Sequence, residues 1–181
     1  VTIGVFDGVH VGHQYLIRRL VEKAHNAGMS AVVMTFHPHP DVVIRDIKER
    51  YYLTTPEQRA EELLKLGVDC VVTHPFNDDI RQIRAADFVD QLSRHLNLKV
   101  LRVGKDFALG YKREGNVAFL TQLGMEKGFD VQPIELVELP ETHEIISSTA
   151  IRNALGRGDM SAVREMLGRS YVLSGEVVHG K

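Results

Sequence analysis

The sequence contains no tryptophan and only one cysteine among its 181 residues. A single thiol cannot form an internal disulfide, and it leaves too few sulfur ligands for a cysteine-rich zinc site. Cys70 stands in the apolar run Val68–Val72, so we expect it on a buried strand where its thiol is unreactive. The shortage of cysteine is typical of a reducing compartment, and the cytoplasm is therefore the predicted location.

The sequence also lacks a long hydrophobic run and an excess of charge of either sign. No stretch approaches the roughly 18 apolar residues of a membrane span, and no signal peptide is recognisable, so no membrane association is expected. Lysine and arginine total 22 against 24 aspartates and glutamates, which gives a formal net charge of −2. A nucleic-acid partner is not expected, because such proteins usually carry a basic excess. A small anionic ligand is not excluded.

The remaining composition is that of an ordinary globular protein, with 44% hydrophobic and 25% charged residues. The length corresponds to about one domain of roughly 150 residues. The chain starts without Met and inside the apolar run Val1–Ile3, so we expect it to be a fragment of a longer protein.

Short β-branched runs alternate with helical patterns along the chain. The predicted strands are 1–6, 31–36, 68–73, 99–103 and 129–136, and the predicted helices are 15–27, 55–67, 85–96, 116–128, 148–157 and 159–167. This alternation predicts a parallel sheet covered by helices on both faces, which is an α/β, Rossmann-like, doubly wound domain. Ligands of such folds bind beyond the carboxyl ends of the strands. We therefore expect the site in the segments that follow strands one, two, four and five.

The segment Gly4–His13, with the sequence G-V-F-D-G-V-H-V-G-H, follows the first predicted strand and leads into the first helix. Glycines allow the backbone to approach a phosphate closely, and a helix N-terminus offers free N–H groups and partial positive charge. His10 and His13, three residues apart, could both donate to one phosphate group. A metal-binding histidine pair and a turn without function are the alternatives.

The segment Ser147–Arg152, with the sequence S-S-T-A-I-R, follows the fifth predicted strand and begins a helix. Its hydroxyls and backbone amides, together with the cation of Arg152 in the first turn, could form a second anion-binding site. The alternative is an ordinary N-cap with a solvent-facing arginine.

The combination of H-x-G-H after strand one with S-S-T-x-x-R after strand five resembles the HIGH-type nucleotidyltransferase superfamily over residues 1 to about 167. Three further stretches narrow the resemblance: the complete Gly4–His13 motif, M-T-F-H-P-H-P at 34–40 and V-G-K-D-F-A-L-G at 103–110. These are similar to the FMN adenylyltransferase (FAD synthetase) module of the prokaryotic bifunctional riboflavin kinase/FAD synthetase family. The resemblance implies transfer of AMP from ATP to the phosphate of FMN, giving FAD and pyrophosphate.

The resemblance also implies roles for individual residues. His10, His13 and Arg152 are expected to be catalytic: the two histidines stabilise the transition state as hydrogen-bond donors, and Arg152 holds the β- and γ-phosphates with Ser148 and Thr149. Mg²⁺ is expected to be bound mainly by the ATP phosphates, with no protein metal site. The full set of expected ATP-binding residues is Gly4, Phe6, Asp7, Gly8, Gly12, Ser147, Ser148 and Thr149. For Asp7, fixing the turn before His10 is the alternative to substrate contact.

The residues expected to contact FMN lie after strands two and four: His37, Pro38, His39, Asp106 and Phe107. A rigid solvent-exposed loop is the alternative for the first three, and a place in the hydrophobic core is the alternative for Phe107.

After about Ser170 the alternating pattern changes, because Tyr171–Val178 is strand-like and no helix follows. This ending resembles the entry into the riboflavin kinase domain of the same family. We therefore expect residues 1–169 to form the FMN adenylyltransferase domain. Residues 170–181 would be the truncated start of a riboflavin kinase-like β domain, a covalent continuation in the full-length protein.

Two other functions remain open at this point. One is a nucleotidyltransferase of the same superfamily acting on phosphopantetheine, nicotinate mononucleotide or glycerol phosphate. The other is a module that binds a flavin or nucleotide without turnover.

Overall fold

The computed structural model describes residues 1–48, 51–134, 146–175 and 179. Its central element is a five-stranded sheet in which all neighbouring strands are parallel. The strands of this sheet are β1 (Thr2–Ile3), β2 (Val32–His37), β3 (Cys70–Pro75), β4 (Val100–Gly104) and β7 (Asp130–Ile134). Between β4 and β7, the two short strands β5 (Ala108–Leu109) and β6 (Gly115–Asn116) form an antiparallel hairpin around a 3₁₀ turn at Tyr111–Arg113.

Eight α-helices connect or follow these strands. They are α1 (Val11–Asn26), α2 (Pro40–Ile44), α3 (Pro56–Leu64), α4 (Asp78–Gln82), α5 (Ala85–Leu96), α6 (Val117–Lys127), α7 (Ser148–Gly156) and α8 (Met160–Leu167) within the part of the chain that the structure describes.

The order of the strands is β3-β2-β1-β4-β7, so the chain first builds one side of the sheet and then returns to build the other. The direction changes between β1 and β4, where Thr2 lies opposite both Val33 of β2 and Arg102 of β4. This arrangement confirms the predicted α/β, Rossmann-like, doubly wound fold. The reversal opens a crevice at the carboxyl ends of β1 and β4, which is where ligands bind in this architecture.

The hydrophobic core lies on both faces of the sheet. On one face, α5 packs Phe88, Val89 and Leu92, which are spaced as one side of a helix, against Leu101 and Val103 of β4. On the other face, Ile17 and Leu20 of α1 pack with Val33 of β2 and Leu63 of α3. A third cluster joins α7 and α8 to Leu53, and it positions the start of α7 beside the segment after β1.

Three helices begin next to their predicted first residues, 55, 116 and 159, and each has a capping side chain. Thr55 and Gln58 form a reciprocal capping box in front of α3, with Pro56 at the first helical position. Asn116 caps α6, which ends at Gly128 in the left-handed conformation, and Asp159 caps α8. These local signals hold because each cap satisfies backbone groups that the helix itself leaves unpaired.

Other expectations were wrong. Cys70 is exposed because β3 is an edge strand. The short helix α2 at Pro40–Ile44, directly after the segment interpreted as a rigid loop, was not anticipated. The hairpin of β5 and β6 was not anticipated, and the first strand is shorter than 1–6. Residues 171–175 form no strand, and the rest of the predicted strand, 176–178, lies outside the described residues, as do 135–136 of the fifth predicted strand.

Gly124 of α6 packs so closely on the next segment that a side chain has no space. A Cβ atom placed there would lie 2.4 Å from the carbonyl oxygen of Phe129. We expect Gly124→Ala to destabilise the protein by about 2 kcal/mol, although alanine is the better helix former, because the added methyl group overpacks this contact. Urea denaturation followed by circular dichroism measures the change.

Gly156→Ala provides the matched control, since no heavy atom lies within 4 Å of a Cβ placed at this position of α7. It should be neutral or stabilising. Equal midpoints for the two variants would contradict the packing explanation.

Candidate active site

The turn between β1 and α1 has an unusual backbone. Phe6 and Val9 have φ angles of 51° and 40°, a region that side-chain-bearing residues rarely occupy, and Gly8 between them has a φ of 80°. For the β-branched Val9 this conformation is strained. A strained turn persists only when contacts with its surroundings hold it, and here the contacts of Asp7 do so.

Asp7, at the centre of this turn, is 1% exposed and connects three parts of the chain. Its carboxylate accepts hydrogen bonds from the backbone N–H groups of Leu53 and Thr54, at 3.0 and 3.1 Å, and from the Thr54 hydroxyl at 3.2 Å. It also forms an ion pair with Arg152, at 2.6 Å from Nη2. Because both oxygens are occupied inside the protein, the structure favours the turn-fixing alternative for Asp7 over direct contact with ATP.

The second predicted motif lies directly against the first. Ser147 caps α7 by accepting the N–H of Ala150 at 3.1 Å, and the hydroxyl of Ser148 donates to the carbonyl oxygen of Asp7 at 2.8 Å. The Arg152 guanidinium donates through Nε to the carbonyl of Tyr51 at 2.7 Å and lies 3.9 Å from the centre of the Tyr51 ring. Segments about 140 residues apart in sequence thus form one site, while the Thr149 side chain beside them is exposed.

His10 and His13 form a stacked pair at the start of α1. His10 is the N-cap residue, and its Nδ1 accepts the backbone N–H of His13 at 3.3 Å. The two rings are parallel within 20°, with centroids 3.5 Å apart. Gly12 lies between them in the first turn of the helix.

Both imidazoles are neutral near pH 7. Burial lowers the pKa of His10 to about 4, against a smaller opposing effect of Asp7. The pKa of His13 is held well below its ordinary value by burial and by the nearby charges of His10 and Arg59. Since Nδ1 of His10 accepts a backbone hydrogen bond, its single proton resides on Nε2, which makes this nitrogen a donor.

The segment after β2 approaches the same site. His39 is 8% exposed, its Nδ1 accepts the N–H of Asp41 at 3.0 Å, and its backbone N–H donates to the Tyr52 hydroxyl at 3.0 Å. Burial lowers the pKa of His39, and the charges of Asp7 and Arg152 act on it in opposite directions. By contrast, His37 and Pro38 are exposed. Of the three residues predicted in this segment, only His39 is therefore buried beside the first two motifs.

The loop after β4 contains the remaining predicted residues. Asp106 is exposed, while its backbone carbonyl accepts a hydrogen bond from Arg113 at 2.9 Å. Phe107 is partly buried and packs against the core cluster of β4 and α5, which agrees with the core alternative for this residue. No described contact joins either residue to the histidine pair.

Three residues that the sequence reasoning missed support the site. Tyr51 stacks on Arg152, Arg169 donates to the carbonyl oxygens of Gly8 and Val9 at 2.7 and 3.2 Å, and Arg59 donates to the carbonyl of Val5 at 2.7 Å. Only Arg59 had a signal in the sequence: it stands four residues before Leu63 on the inward side of α3, where an apolar residue is expected.

The buried charges at this place do not balance. Arg59 is fully buried and the Arg152 side chain is 18% exposed, whereas Asp7 is the one buried carboxylate among the described residues. Two cations around one anion leave an excess positive charge beside neutral N–H donors. Such a site is suited to an anionic ligand rather than to a metal cation.

The described residues contain no group of three or more His, Cys, Asp and Glu side chains that could hold a metal ion. The Asp7 carboxylate already has four protein partners, so it does not fit as a ligand for Mg²⁺. No helix of the described structure has the length and hydropathy needed to cross a bilayer.

Comparison with known proteins finds the same family that the sequence motifs resemble. A family model described as FAD synthetase matches residues 1–150. Proteins named bifunctional riboflavin kinase/FMN adenylyltransferase are 37% identical in Escherichia coli K12, 38% in Pseudomonas fluorescens and 34% in Listeria monocytogenes. Each match covers 99% of this chain and 56–57% of the relative, so the chain spans little more than half of their length.

A crystal structure of a protein from Streptococcus pneumoniae, described as a macrolide-efflux protein, superposes with a TM-score of 0.85 at 27% sequence identity. The superposition covers 99% of this chain and 58% of the other.

Removal of the Asp7 charge tests its connecting role. We expect Asp7→Asn to destabilise the protein by about 3 kcal/mol, because it leaves the half-buried Arg152 cation without its partner. Asp46→Asn is the control, since Asp46 pairs with Lys48 on the exposed surface, where ion pairs contribute little. Urea denaturation measures both, and an equal effect of the two substitutions would contradict the proposed role.

The lowered pKa of His10 makes stability depend on pH in one direction. The unfolded chain takes up a proton near pH 6.5 and the folded protein only near pH 4, so the contribution is complete above pH 6.5 and is lost as the pH falls to 4. Wild type should therefore lose up to about 3 kcal/mol more than His10→Asn over this interval. Asparagine keeps an acceptor for the His13 N–H, and identical pH profiles would show that His10 titrates normally.

Proposed function

Because the chain belongs to the FAD synthetase family, we propose that it is an adenylyltransferase that transfers AMP from ATP to FMN and releases pyrophosphate. The chain spans 57% of its Escherichia coli relative, and the proposal concerns the part of the protein present here. The observation that carries it is the stacked, neutral His10–His13 pair next to an excess of buried positive charge.

The reaction requires charge stabilisation more than proton removal. An oxygen of the FMN phosphate attacks the α-phosphorus of ATP, and the bond from that phosphorus to the bridging oxygen of pyrophosphate breaks. A phosphate monoester loses its second proton near pH ~6, so this nucleophile is already ionised at pH 7 and needs no general base. The barrier arises from bringing several negative groups together and from the charge that develops on the transferred phosphoryl group.

Neutral imidazoles fit this task. The Nε2 atom of His10 has no hydrogen-bond partner among the described residues, while its Nδ1 is occupied by the N–H of His13. We infer that His10 and His13 direct Nε2–H groups at the α-phosphoryl oxygens. A donor that is already oriented by the fold does not have to reorganise during the reaction, which is the main source of catalysis by such groups.

The start of α7 would hold the β- and γ-phosphates. Arg152 uses Nε for Tyr51 and Nη2 for Asp7, and its Nη1 has no partner among the described residues. This nitrogen, the Thr149 hydroxyl and the free amides of the first turn of α7 are the donors that we assign to the phosphates. Gly4, Phe6 and Gly8 would shape the nucleotide pocket, with Ser147 and Ser148 fixing the helix start.

FMN would bind on the side of His39. We assign this residue to FMN because its buried ring lies edge-on to Tyr51, with centroids 4.9 Å apart, and is near enough to Asp7 and Arg152 for both charges to act on its pKa. The exposed residues His37, Pro38 and Asp106 and the partly buried Phe107 are assigned to the flavin ring by family resemblance alone. Mg²⁺ would enter with ATP as MgATP, held by phosphate oxygens and water. Cytoplasmic location and a covalently attached riboflavin kinase domain complete the proposal.

The direct test is an assay of purified protein with MgATP and FMN, in which FAD and pyrophosphate are measured. We expect FAD from wild type and a 10²- to 10³-fold lower kcat for His10→Asn, which keeps the helix cap but removes the Nε2–H donor. His25→Gln is the control, because His25 pairs with Asp69 on the surface and its side chain is 48% exposed.

Two results would contradict the proposal. Binding of ATP and FMN without any FAD would indicate a binding module. Turnover with phosphopantetheine, nicotinate mononucleotide or glycerol phosphate in place of FMN would indicate another member of the superfamily.

A further inference from the structure

Arg59 of α3 is a fully buried cation with almost no hydrogen bonding. Its relative exposure is 0%, and its one described hydrogen bond runs from Nη1 to the carbonyl of Val5. The other two guanidinium nitrogens, Nε and Nη2, are buried without a partner. Burying an unpaired charge is costly, so an arginine in a position where a leucine would pack calls for a specific reason.

His13 has the complementary deficiency. Its Nδ1 is buried and has no partner, while its ring is fixed between the stacked His10 ring and the edge of Phe6, whose centroid is 5.1 Å away. A neutral imidazole has one nitrogen that donates and one that accepts, and a guanidinium can only donate. A ring nitrogen that is able to accept and two N–H groups that need an acceptor therefore occur in the same buried region.

Both groups contact the segment Val5–Phe6. Arg59 is bonded to Val5, which directly precedes Phe6, and the Phe6 ring contacts His13. The charge of Arg59 is also one of the three effects that lower the pKa of His13, after burial and His10. Of the four buried side-chain N and O atoms without a partner in the described structure, three belong to this pair.

We propose that Arg59 is a positioning residue for nucleotidyl transfer: it donates to Nδ1 of His13 through one buried water, and thereby places the His13 proton on Nε2, toward the phosphates. His10 and His39 reach the same tautomer by another route, since the Nδ1 of each accepts a backbone N–H. His13 has no such backbone donor among the described residues, and Arg59 takes that place. This inference rests on the proposed function.

The first experiment reads the tautomer of His13 in the intact wild-type protein. Long-range ¹H–¹⁵N correlation spectra of protein labelled with ¹⁵N-histidine separate the Nε2–H form, the Nδ1–H form and the imidazolium, and His13→Asn identifies the signals. The groups that act on His13 are His10 and Arg59, so the spectra are recorded with their charges constant, at pH 7. The Nε2–H form is expected, and an Nδ1–H or protonated His13 would overturn the proposal without any variant.

The second experiment uses Arg59→Met, which preserves most of the side-chain volume but provides no donor. We expect a loss of the single Nε2–H form and a roughly 10- to 100-fold lower kcat, the range typical for partners that orient metal-ligating histidines, with little change in KM for ATP. Arg102→Met is the matched control: Arg102 also has a buried Nε without a partner, but it lines the cavity at the opposite, amino-terminal end of the strands.

An unchanged His13 tautomer in folded Arg59→Met, with a kcat no lower than that of Arg102→Met, would overturn the proposal. If Arg59→Met does not fold, the wild-type spectrum alone decides. The NMR spectra do not require turnover. An absence of FAD formation by wild type would therefore refute the proposed function without changing the result for the His13 tautomer.

Discussion

The site depends on one buried carboxylate. Asp7 receives the backbone N–H groups of Leu53 and Thr54 and the guanidinium of Arg152, so it joins the turn after β1, the segment before α3 and the first turns of α7. A buried carboxylate is tolerable only when its hydrogen-bonding capacity is filled, and here the partners come from segments that are distant in sequence. The same contacts that satisfy Asp7 therefore bring the two predicted anion-binding motifs together.

The strained turn around Asp7 is held at successive backbone carbonyls. The carbonyl of Val5 accepts from the Thr35 hydroxyl and from Arg59, that of Asp7 from Ser148, and that of Gly8 from Arg169. This network fixes His10 and His13 before any substrate binds. A rigid set of neutral donors beside excess positive charge stabilises developing negative charge without rearrangement, which suits phosphoryl transfer.

The sequence allowed the fold to be predicted because the alternation of apolar strands and capped helices is a local signal, and the structure confirms it. The sequence also predicted that both motifs lie at one edge of the sheet. In a parallel sheet all carboxyl ends of the strands are on the same side, and those of β1 and β7 are therefore together. The supporting residues were out of reach, because Tyr51 and Arg169 act through contacts with segments more than 100 residues away. Cys70 was misjudged for a related reason: an apolar run does not reveal whether its strand is central or at the edge.

The assigned roles of the site residues predict where a nucleotide binds. The most direct measurement is a crystal structure with Mg²⁺ and a non-hydrolysable ATP analogue. We expect an oxygen of the α-phosphate at about 3 Å from Nε2 of His10, with the β- and γ-phosphates at the first turn of α7 and Arg152. A nucleotide bound instead in the cavity of about 470 Å³ at the amino-terminal ends of the strands, or with its phosphates away from both histidines, would contradict this account.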